Sequence, residues 1–319
     1  MKKFIVWVLL GTLWVYAQKV DYLAQKEVQR FINTMVMEHG FERYHLEYLF
    51  TQAVFDVETL NRYRGKRRPN TTDGTWVRYK TKLLDEASMD YYRTKKRQYH
   101  ATLQRASKDF GVPADILVGF LAIESKFGKY TGDYKVWNSL TTLAFFNNRM
   151  QNFFYSELKH YLLMCREKNY DPLIVKGSFA GAMGAVQQMP SIMRKFLIDY
   201  NGDGKKNPWD IEDAIGSVAN FLHQKGWIEG GVIAVPTHFK GIRLGGIQAG
   251  YNRSYPLTLL KQYGIEPKSN FAYLNGYLLR LYDQKSDEVW LGANNFRILT
   301  RYNPSTNYGM AIFKIAQGL

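Results

Sequence analysis

The stretch Val112-Pro-Ala-Asp-Ile-Leu-Val-Gly-Phe-Leu-Ala-Ile-Glu-Ser-Lys-Phe-Gly128 has the pattern of one short helix. Pro113 suits the first helical position, because the N–H that proline lacks would have no helical partner there. Asp115 suits the first turn, since the helix dipole attracts negative charge at that end. Gly128 follows the last apolar residue and favours a left-handed end. The sequence therefore predicts a helix across residues 112–128.

Glu124 is the anomaly of this helix. Leu117, Phe120 and Leu121 precede it by seven, four and three residues, so all three share its face. We expect that face to be buried, and burial disfavours the charged form of a carboxylate and raises its pKa. A carboxyl group kept protonated in this way is suited to act as a general acid. The alternative is that Glu124 ends the helix half in solvent.

The first residues of this 319-residue chain predict an export signal. Two lysines precede an apolar run at residues 4–16, and small residues occupy the cleavage positions 15 and 17. The run is too short to span a bilayer comfortably, and an N-terminal anchor helix is the alternative. No cysteine follows the run, so we expect no lipoprotein anchor. Residues 1–17 are therefore assigned to a signal peptide.

Cysteine content and charge restrict the class of protein further. Cys165 is the only cysteine, so the chain has neither an intramolecular disulfide nor a cysteine metal cluster. Export without disulfides suits a bacterial envelope protein with a large core. The formal net charge of +15 favours polyanions such as nucleic acid, anionic lipid or an acidic cell wall. We expect no nucleic-acid partner, because no such fold signature is present and the export signal argues against it.

Changes in composition divide the chain into segments. Apolar residues recur at helical spacing before residue 230, whereas glycines, prolines and alternating apolar residues prevail at residues 231–300. Asn275-Gly276 and residues 283–287 are typical of hairpin turns. The predicted fold class is α+β, mainly α. The segments after the signal peptide are residues 18–110 (an N-terminal helical lobe), 111–230 (a core), 231–300 (a small β-containing lobe) and 301–319 (a segment packing back on the core).

Residues 176–190, Lys-Gly-Ser-Phe-Ala-Gly-Ala-Met-Gly-Ala-Val-Gln-Gln-Met-Pro, are rich in glycine. Glycines let two backbones, or a backbone and a ligand, approach closely. The run is not a phosphate loop, because no Gly-Lys-Ser/Thr follows, and it lacks the spacing of a nucleophile elbow. By itself it predicts only a glycine-rich helix start.

Residues 199–210 match the first half of an EF-hand calcium loop. Side-chain oxygens at loop positions 1, 3 and 5 point inward in such loops, a glycine makes the turn, and the carbonyl of position 7 is a ligand. Position 12 is aspartate instead of glutamate, and its shorter side chain reaches less far toward an ion. An aspartate three residues later could supply the carboxylate ligand instead. The alternatives are a turn without an ion, or a sodium site. The candidate ligands of Ca²⁺ (or Na⁺) are Asp199, Asn201, Asp203, Lys205 (carbonyl), Asp210 and Asp213.

Together these blocks resemble one family, the B-type membrane-bound lytic murein transglycosylases of glycoside hydrolase family 103. Several blocks in the right order, spread over residues 76–319, are far more specific than any one of them. Two departures are the missing lipoprotein cysteine and Ser125, which stands where threonine is common. The matching blocks are Gly-Val-Pro-x-x-Ile-x-Val-Gly at residues 111–119, Ile123-Glu-Ser-Lys-Phe-Gly128, residues 176–184 with Gln187, Met189 and Pro190, residues 199–210, Asp213-Ala-Ile-Gly-Ser-Val-Ala-Asn220, and Thr300-Arg-Tyr-Asn303.

The resemblance implies a lysozyme-like helical core, an outer helical lobe and a small β lobe. It implies cleavage of peptidoglycan glycan strands between N-acetylmuramic acid and N-acetylglucosamine, without water and without a catalytic cofactor, to give 1,6-anhydromuramoyl ends. It also implies a metal in the 199–210 loop. From the export signal and the missing lipoprotein cysteine we expect a periplasmic protein, and we expect a monomer with cell-wall synthases as candidate partners. Glu124 is then the single acid/base. The residues that match the family's sugar cleft are Tyr79, Ser178, Gln187, Tyr302, Asn303 and Tyr308.

The residues themselves are consistent with a single-acid mechanism, because no second carboxylate shares a motif with Glu124. Asp133 is placed in a predicted turn and Glu157 on another helix. One acid suffices if the substrate's N-acetyl group and C6 hydroxyl act as the nucleophiles, with Ser178 and Asn303 orienting the N-acetyl group. Three alternatives remain. They are a lysozyme-type hydrolase, which gives reducing ends, a non-catalytic murein-binding protein, and a calcium sensor.

Overall fold

A computed structural model of the chain describes residues 20–65, 75–239 and 241–319. The predicted signal peptide at residues 1–17 lies outside these ranges. Within them, no helix is both long and apolar enough to cross a membrane.

The described residues fold mainly into helices, with one two-stranded and one five-stranded antiparallel sheet. The helices are α1 Lys26–His39, α2 Arg43–Thr51, α3 Val57–Tyr63, α4 Thr75–Leu83, α5 Glu86–Gln98, α6 His100–Phe110, α7 Ala114–Ser125, α8 Val136–Phe145, α9 Gln151–Lys168, α10 Pro190–Phe196, α11 Ile211–Gln224, α12 Leu257–Gln262, α13 Asn294–Leu299 and α14 Thr306–Gln317. The strands are β1 Tyr134–Lys135, β2 Lys176–Gly177, β3 Ala234–His238, β4 Ser254–Pro256, β5 Glu266–Pro267, β6 Asn275–Leu281 and β7 Glu288–Gly292.

A first hydrophobic cluster surrounds α7. Between Ala114 and Ala122 every residue of this helix is buried except Asp115. Gly119 lets α14 come close, because a Cβ there would lie 2.8 Å from the carbonyl oxygen of Ile312. Each fully buried leucine or phenylalanine stabilises the fold by about 1.5–3 kcal/mol, so α7 is held firmly. The surrounding helices α5, α6, α11 and α14 contribute, among others, Tyr92, Leu103, Val218 and Ile315.

A second cluster joins segments that are far apart in the sequence. Helices α1 and α2 share it with α8, α9 and α10. Phe50 contacts the Trp137 ring at a centroid distance of 5.1 Å, and the Trp137 indole N–H donates to the Leu49 carbonyl at 3.1 Å. Helices α1 and α2 therefore pack on α8, which follows α7 in the sequence.

The five-stranded sheet has the order β4-β6-β7-β3-β5 and holds α4 in place. Trp76 is fully buried, its backbone N–H donates to the Tyr282 carbonyl at 3.0 Å, and its indole N–H donates to Glu288 at 3.0 Å. Residues 283–287 connect β6 to β7, which confirms the turn predicted there. The sheet thus fixes the position of Tyr79, which lies on the next turn of α4.

The ends of α7 differ from the prediction of a helix across residues 112–128. Pro113 precedes the helix as its N-cap, with ψ 135°. At the other end the chain enters the left-handed region at Lys126 (φ 48°) and Phe127 (φ 55°), ahead of Gly128 (φ 78°). The N–H groups of Lys126 and Phe127 bond back to the carbonyls of residues 122 and 121, which closes the helix early. Non-glycine residues in this region store strain, and such strain clusters at functional sites.

The prediction of a hairpin turn at Asn275-Gly276 was wrong. Both residues lie inside β6, where Gly276 is paired with Tyr255 of β4. A Cβ at Gly276 would lie 3.3 Å from the Phe271 ring, so the glycine makes room for an aromatic side chain within the strand.

The glycine-rich residues 176–190 form a turn-rich loop instead of a helix start. The loop begins with β2, closes on itself through the bridge between Met183 and Gln188, and α10 begins only at Pro190. Gly184 has φ 75°, and a Cβ there would lie 2.4 Å from the Pro208 carbonyl oxygen. The glycine therefore allows a close backbone approach, as expected.

Candidate active site

An open groove of about 820 Å³ lies between the last turn of α7 and one face of α4. The fully buried body of α7 fixes one wall, and the sheet fixes the other through Trp76. The groove places the carboxyl group of Glu124 opposite side chains that are distant in the sequence. The lining includes Arg78, Tyr79, Lys82, Glu124, Ser125 and Lys126.

Glu124 lies half-buried on an apolar surface, as its spacing predicted. Loss of solvation raises the pKa of Glu124 from an ordinary 4.5 to about 8, and a hydrogen bond from the Tyr308 hydroxyl opposes this rise. That hydroxyl donates to Oε1 of Glu124. A carboxyl group in this setting holds its proton at neutral pH and still faces a groove. Its neighbours Leu117, Phe120 and Leu121 are each fully buried.

Tyr308 and Tyr302 form a stacked pair behind the carboxyl group. Their ring planes differ by 9° and their centroids are 6.5 Å apart. Both rings meet the edge of Phe120 in T-shaped contacts. The Tyr302 hydroxyl donates to the Val186 carbonyl, so of this pair only Tyr308 reaches the acid. Burial raises the pKa of both phenols well above the usual range, which keeps both hydroxyls protonated as donors.

Tyr79 faces Glu124 from the opposite wall of the groove. It is half-buried, and burial raises its pKa. The structure thus brings Tyr79 and Tyr308 to the acid, as the family resemblance implied for the cleft. The sequence alone does not indicate this meeting, because these two tyrosines are more than 200 residues apart.

Gln187 and Tyr302 line a smaller neighbouring cavity of about 90 Å³. The Gln187 amide donates to the carbonyls of Thr131 at 2.8 Å and Gly184 at 3.0 Å. Its backbone has φ 47°, in the left-handed region that glycine favours. Gln187 therefore ties the glycine-rich loop to the segment after α7.

Ser178 and Asn303 do not line the groove that contains Glu124. The Ser178 hydroxyl oxygen accepts from the N–H groups of Ala180 at 3.3 Å and Ala182 at 3.1 Å, so it holds a turn of its own loop. Asn303 is exposed in the segment before α14. Their predicted contact with the N-acetyl group stays a prediction.

Ser125 has a role that the sequence analysis missed. It is buried, its hydroxyl donates to the Ala185 carbonyl, and its oxygen accepts from the Gly128 N–H at 2.7 Å. One side chain thereby joins the end of α7 to the glycine-rich loop. The only sequence signal was its position beside Glu124.

The carboxylates of Asp133 and Glu157 lie away from the groove. The Asp133 side chain is 98% exposed, in the turn-rich connector. Glu157 is buried on α9, and its two oxygens accept from the N–H and hydroxyl of Ser191 at 2.9 and 2.6 Å. Neither lines the groove. Among its described lining residues, Glu124 is the acid that faces the groove.

The 199–210 loop has the internal hydrogen bonds of a closed turn. Asp199 accepts from the N–H groups of Gly202 and Gly204, both at 2.8 Å. The Asn201 side chain accepts from the Asp203 N–H at 3.0 Å, and the Asp203 side chain accepts from the Lys205 N–H at 2.8 Å. Three side chains thus place four oxygens on one short loop.

Two further candidate ligands, Asp210 and Asp213, accept hydrogen bonds from backbone N–H groups. Asp210 caps α11 by accepting from the N–H groups of residues 212 and 213. Asp213 is fully buried and accepts from the N–H groups of Tyr200, Asn201 and Asn207 at 2.7–3.2 Å. In the part of the chain that the structure describes, no three His, Cys, Asp or Glu side chains form a ready metal site.

Comparison with known proteins identifies relatives over nearly the whole chain. The transglycosylase SLT domain family model matches residues 23–317. The membrane-bound lytic murein transglycosylase B of Escherichia coli (strain K12) is 35% identical over 307 residues, which are 94% of this chain and 84% of that protein.

Solved structures also match nearly the whole chain, at the same sequence identity. The Escherichia coli lytic transglycosylase Slt35 in complex with bulgecin A matches with a TM-score of 0.88 and 35% identity, over 93% of this chain and 94% of that one. Slt35 in complex with calcium matches with a TM-score of 0.86 over the same shares. The predicted fold class, mainly α with a small sheet and a lysozyme-like core, is confirmed. The chain therefore belongs to the transglycosylase SLT domain family and, within it, to the B-type lytic murein transglycosylases, which are peptidoglycan-cleaving enzymes.

Proposed function

We propose that this enzyme cleaves the bond between N-acetylmuramic acid and N-acetylglucosamine in peptidoglycan with Glu124 as its single acid/base, and leaves 1,6-anhydromuramoyl ends. The observation that supports this is one carboxyl group, half-buried on an apolar face and open to a groove of about 820 Å³. Its raised pKa, about 8, supplies a proton at neutral pH.

The proposed reaction uses this carboxyl group twice, first as an acid and then as a base. Glu124 gives its proton to the glycosidic oxygen as the bond from C1 of muramic acid breaks. The N-acetyl carbonyl oxygen stabilises the positive charge that develops at C1. The C6 hydroxyl then attacks C1 and loses its proton to the carboxylate of Glu124. One C–O bond breaks, one forms, and no water is consumed.

The surrounding side chains fit supporting roles. The Tyr308 hydroxyl, which donates to Glu124, stabilises the carboxylate that exists between the two proton transfers. Tyr79 offers a ring and a hydroxyl to a sugar from the opposite wall. Gln187 and Tyr302 keep the glycine-rich loop in place, and Ser178 and Asn303 are proposed to orient the N-acetyl group when a glycan strand is bound.

The test is the mass of the fragments that the purified protein releases from peptidoglycan. Anhydro products lack one water relative to the products of a lysozyme-type hydrolase. We expect only anhydro ends, and reducing ends would show that water is the nucleophile. Binding to peptidoglycan with no soluble fragment would instead support the non-catalytic alternative.

We further propose that the 199–210 loop holds a structural Ca²⁺ ion. The oxygens of Asp199, Asn201 and Asp203 form a donor set that suits a hard cation, with the Lys205 carbonyl and the carboxylates of Asp210 and Asp213 as the remaining candidates. Calcium should raise the melting temperature of the protein and have no such effect on Asp203→Ala. An equal rise in that variant would exclude this loop as the site.

The same activity requires access to the cell wall. We propose that residues 1–17 export the chain to the periplasm, where it works on glycan strands as a monomer, with cell-wall synthases as candidate partners. The boundaries at residues 110, 230 and 300 stay proposals for the limits of its lobes. Mass analysis of the mature N-terminus tests the proposed export signal. Native mass analysis of the intact protein tests whether it is a monomer.

A further inference from the structure

The cavity of about 90 Å³ that Gln187 and Tyr302 line is separate from the groove that contains Glu124, because the two share no lining residue. By liquid volume it has room for about three waters, or for one small oxyanion. The proposed cleavage reaction uses none of this space. The remaining lining residues are Gln188, Met189, Ile192, Phe221 and Arg301.

The side-chain amide of Gln188 is buried at this cavity without a hydrogen-bond partner. Gln188 is 3% exposed, and neither its Nε2 nor its Oε1 bonds to another described residue. Burial raises the pKa of Tyr302 and the nearby Gln188 amide opposes this rise, yet the two groups form no hydrogen bond. Buried polar groups in native proteins are nearly always paired. The cavity is therefore suited to a ligand that can both accept from this amide and donate to it.

Three cations surround the same cavity. Arg301 lines it, and Lys225 lies 5.4 Å from the ring centroid of Phe221, another lining residue. Burial lowers the pKa of Lys225, and the charges of Lys195 and Arg301 lower it further, so the three cations lie close together. None of them forms a salt bridge with a carboxylate of the described residues. The positive charge around the cavity is therefore not neutralised by the chain itself.

These features select one kind of anion. Arginine binds oxyanions such as phosphate through parallel N–H donors, and lysine adds a point charge. A phosphate group that keeps an O–H has oxygens that accept from Nε2 of Gln188 and a hydroxyl that donates to Oε1. Sulfate has the same tetrahedral shape but no hydroxyl, so it would leave Oε1 unpaired, which is costly for a buried group.

We propose that this cavity binds a phosphate group that retains an O–H, as in inorganic hydrogen phosphate or a phosphomonoester. Gln188 and Arg301 contact the phosphate oxygens, and Lys195 and Lys225 supply the surrounding positive charge. The inference goes beyond the proposed function, because no step of glycan cleavage involves this cavity. Two sources carry such a group, namely free phosphate and the headgroup of a lipid such as phosphatidate.

The experiment measures phosphate binding to the full chain by calorimetric titration at pH 8, with sulfate at equal ionic strength as the matched anion. One test variant is Arg301→Gln. Its control is Arg297→Gln, which removes the same charge from an exposed residue outside the cavity lining. The second test variant is Gln188→Met, which keeps the length of the side chain and removes both amide groups. Thermal unfolding verifies that each variant is folded.

We expect the unchanged protein to bind phosphate with a Kd about tenfold or more below that for sulfate, the effect of one buried hydrogen bond. Arg301→Gln should raise the Kd for phosphate by about tenfold or more, and Arg297→Gln should leave it unchanged. Gln188→Met should abolish the preference over sulfate. In phosphate-free buffer this variant should unfold no earlier than the unchanged protein, because it loses only buried groups that had no partner.

The proposal fails if the unchanged protein does not bind phosphate, binds sulfate equally well, or loses no affinity through Arg301→Gln. Earlier unfolding of Gln188→Met in phosphate-free buffer would also contradict it, because the amide would then have a structural partner. None of these measurements requires cleavage of peptidoglycan, so their failure leaves the proposed function untouched.

Vesicles identify the source of the phosphate group. The protein is sedimented with phosphatidylcholine vesicles that contain or lack phosphatidate. Sedimentation that requires phosphatidate and is lost in Arg301→Gln, but not in Arg297→Gln, supports the site with a lipid headgroup as its ligand. Binding of free phosphate without sedimentation supports the site with a soluble phosphate as its ligand. Sedimentation that both variants retain, without binding of free phosphate, would show a general attraction to anionic surfaces and would contradict the site.

Discussion

Two glutamates, one at the end of α7 and one in the middle of α9, show what separates the proposed acid catalyst from a structural carboxylate. Glu157 is more deeply buried than Glu124, and burial raises the pKa of both. Glu157 accepts two hydrogen bonds from Ser191, at the first turn of α10. Glu124 has one donor, the Tyr308 hydroxyl, and faces the groove.

The difference teaches that burial alone does not predict function. A buried carboxyl group whose oxygens are both bonded to one neighbour joins two helices. A carboxyl group with a single donor and one side open to the groove retains a proton and a path to a substrate. The following predictions test this separation of roles, from the largest effect to the smallest.

Replacing Glu124 with glutamine should reduce kcat by about 10³-fold or more, since a general acid contributes roughly 10²–10⁴-fold and the same group also serves as the base. The amide keeps the shape of the side chain, so the fold should persist. The measurement is release of soluble fragments from peptidoglycan, with circular dichroism as the check on folding. Activity within tenfold of the unchanged protein would remove Glu124 from the mechanism.

Replacing Glu157 with glutamine should lower stability and leave kcat nearly unchanged, the opposite of the effect expected for Glu124. The variant loses a charge-assisted hydrogen bond to Ser191, which lowers the free energy of unfolding by about 1–3 kcal/mol. Its kcat per folded molecule should stay near that of the unchanged protein. Denaturant unfolding and the same fragment assay measure the two quantities. A large loss of kcat in folded protein would mean that α9 carries a second catalytic carboxylate.

Replacing Tyr308 with phenylalanine should slow the reaction by about tenfold to a hundredfold, the effect of one hydrogen bond to a charged group. Because this bond lowers the pKa of Glu124, its loss should move the alkaline limb of the pH–rate profile to higher pH. Tyr302→Phe is the matched control, since its hydroxyl bonds to the Val186 carbonyl instead. Identical pH profiles for the two variants would argue against a role for the Tyr308 hydroxyl.

Stability should also respond to pH through Glu124. Between pH 4.5 and about 8 the native state binds a proton that the unfolded state has lost, so this group destabilises the fold increasingly as pH rises. Glu124→Gln should therefore be more stable than the unchanged protein at pH 8, by a few kcal/mol, and similar at pH 4. Chemical unfolding at both pH values measures this. A difference that does not depend on pH would mean that Glu124 titrates normally.

The sequence predicted the apolar surroundings of Glu124 well because the argument was local. Helical spacing alone places Leu117, Phe120 and Leu121 on its face, and no distant segment is needed. Tyr308 required the family resemblance, because its contact with Glu124 spans 184 residues. The structural role of Glu157 could not be predicted for the same reason. Its partner Ser191 is identified only by the packing of α9 on α10.

The cations of α4 could not be found from the sequence. Arg78 and Lys82 have helical spacing, but the face they present is decided by Trp76, which bonds to Tyr282 and Glu288 of a sheet about 200 residues later. The left-handed backbone at Lys126 was missed for a similar reason. Its conformation is imposed by the closure of α7 and not by its own side chain, which gives no preference for it.

The most direct test is a titration of the Glu124 carboxyl group itself. Carbon NMR of protein labelled at the glutamate side chain, assigned by comparison with Glu124→Gln, follows this group in the native state. The account predicts that it is half-protonated near pH 8 and that kcat falls as pH rises through the same value. A midpoint near the ordinary 4.5 would mean that the group is ionised at neutral pH and has no proton to give.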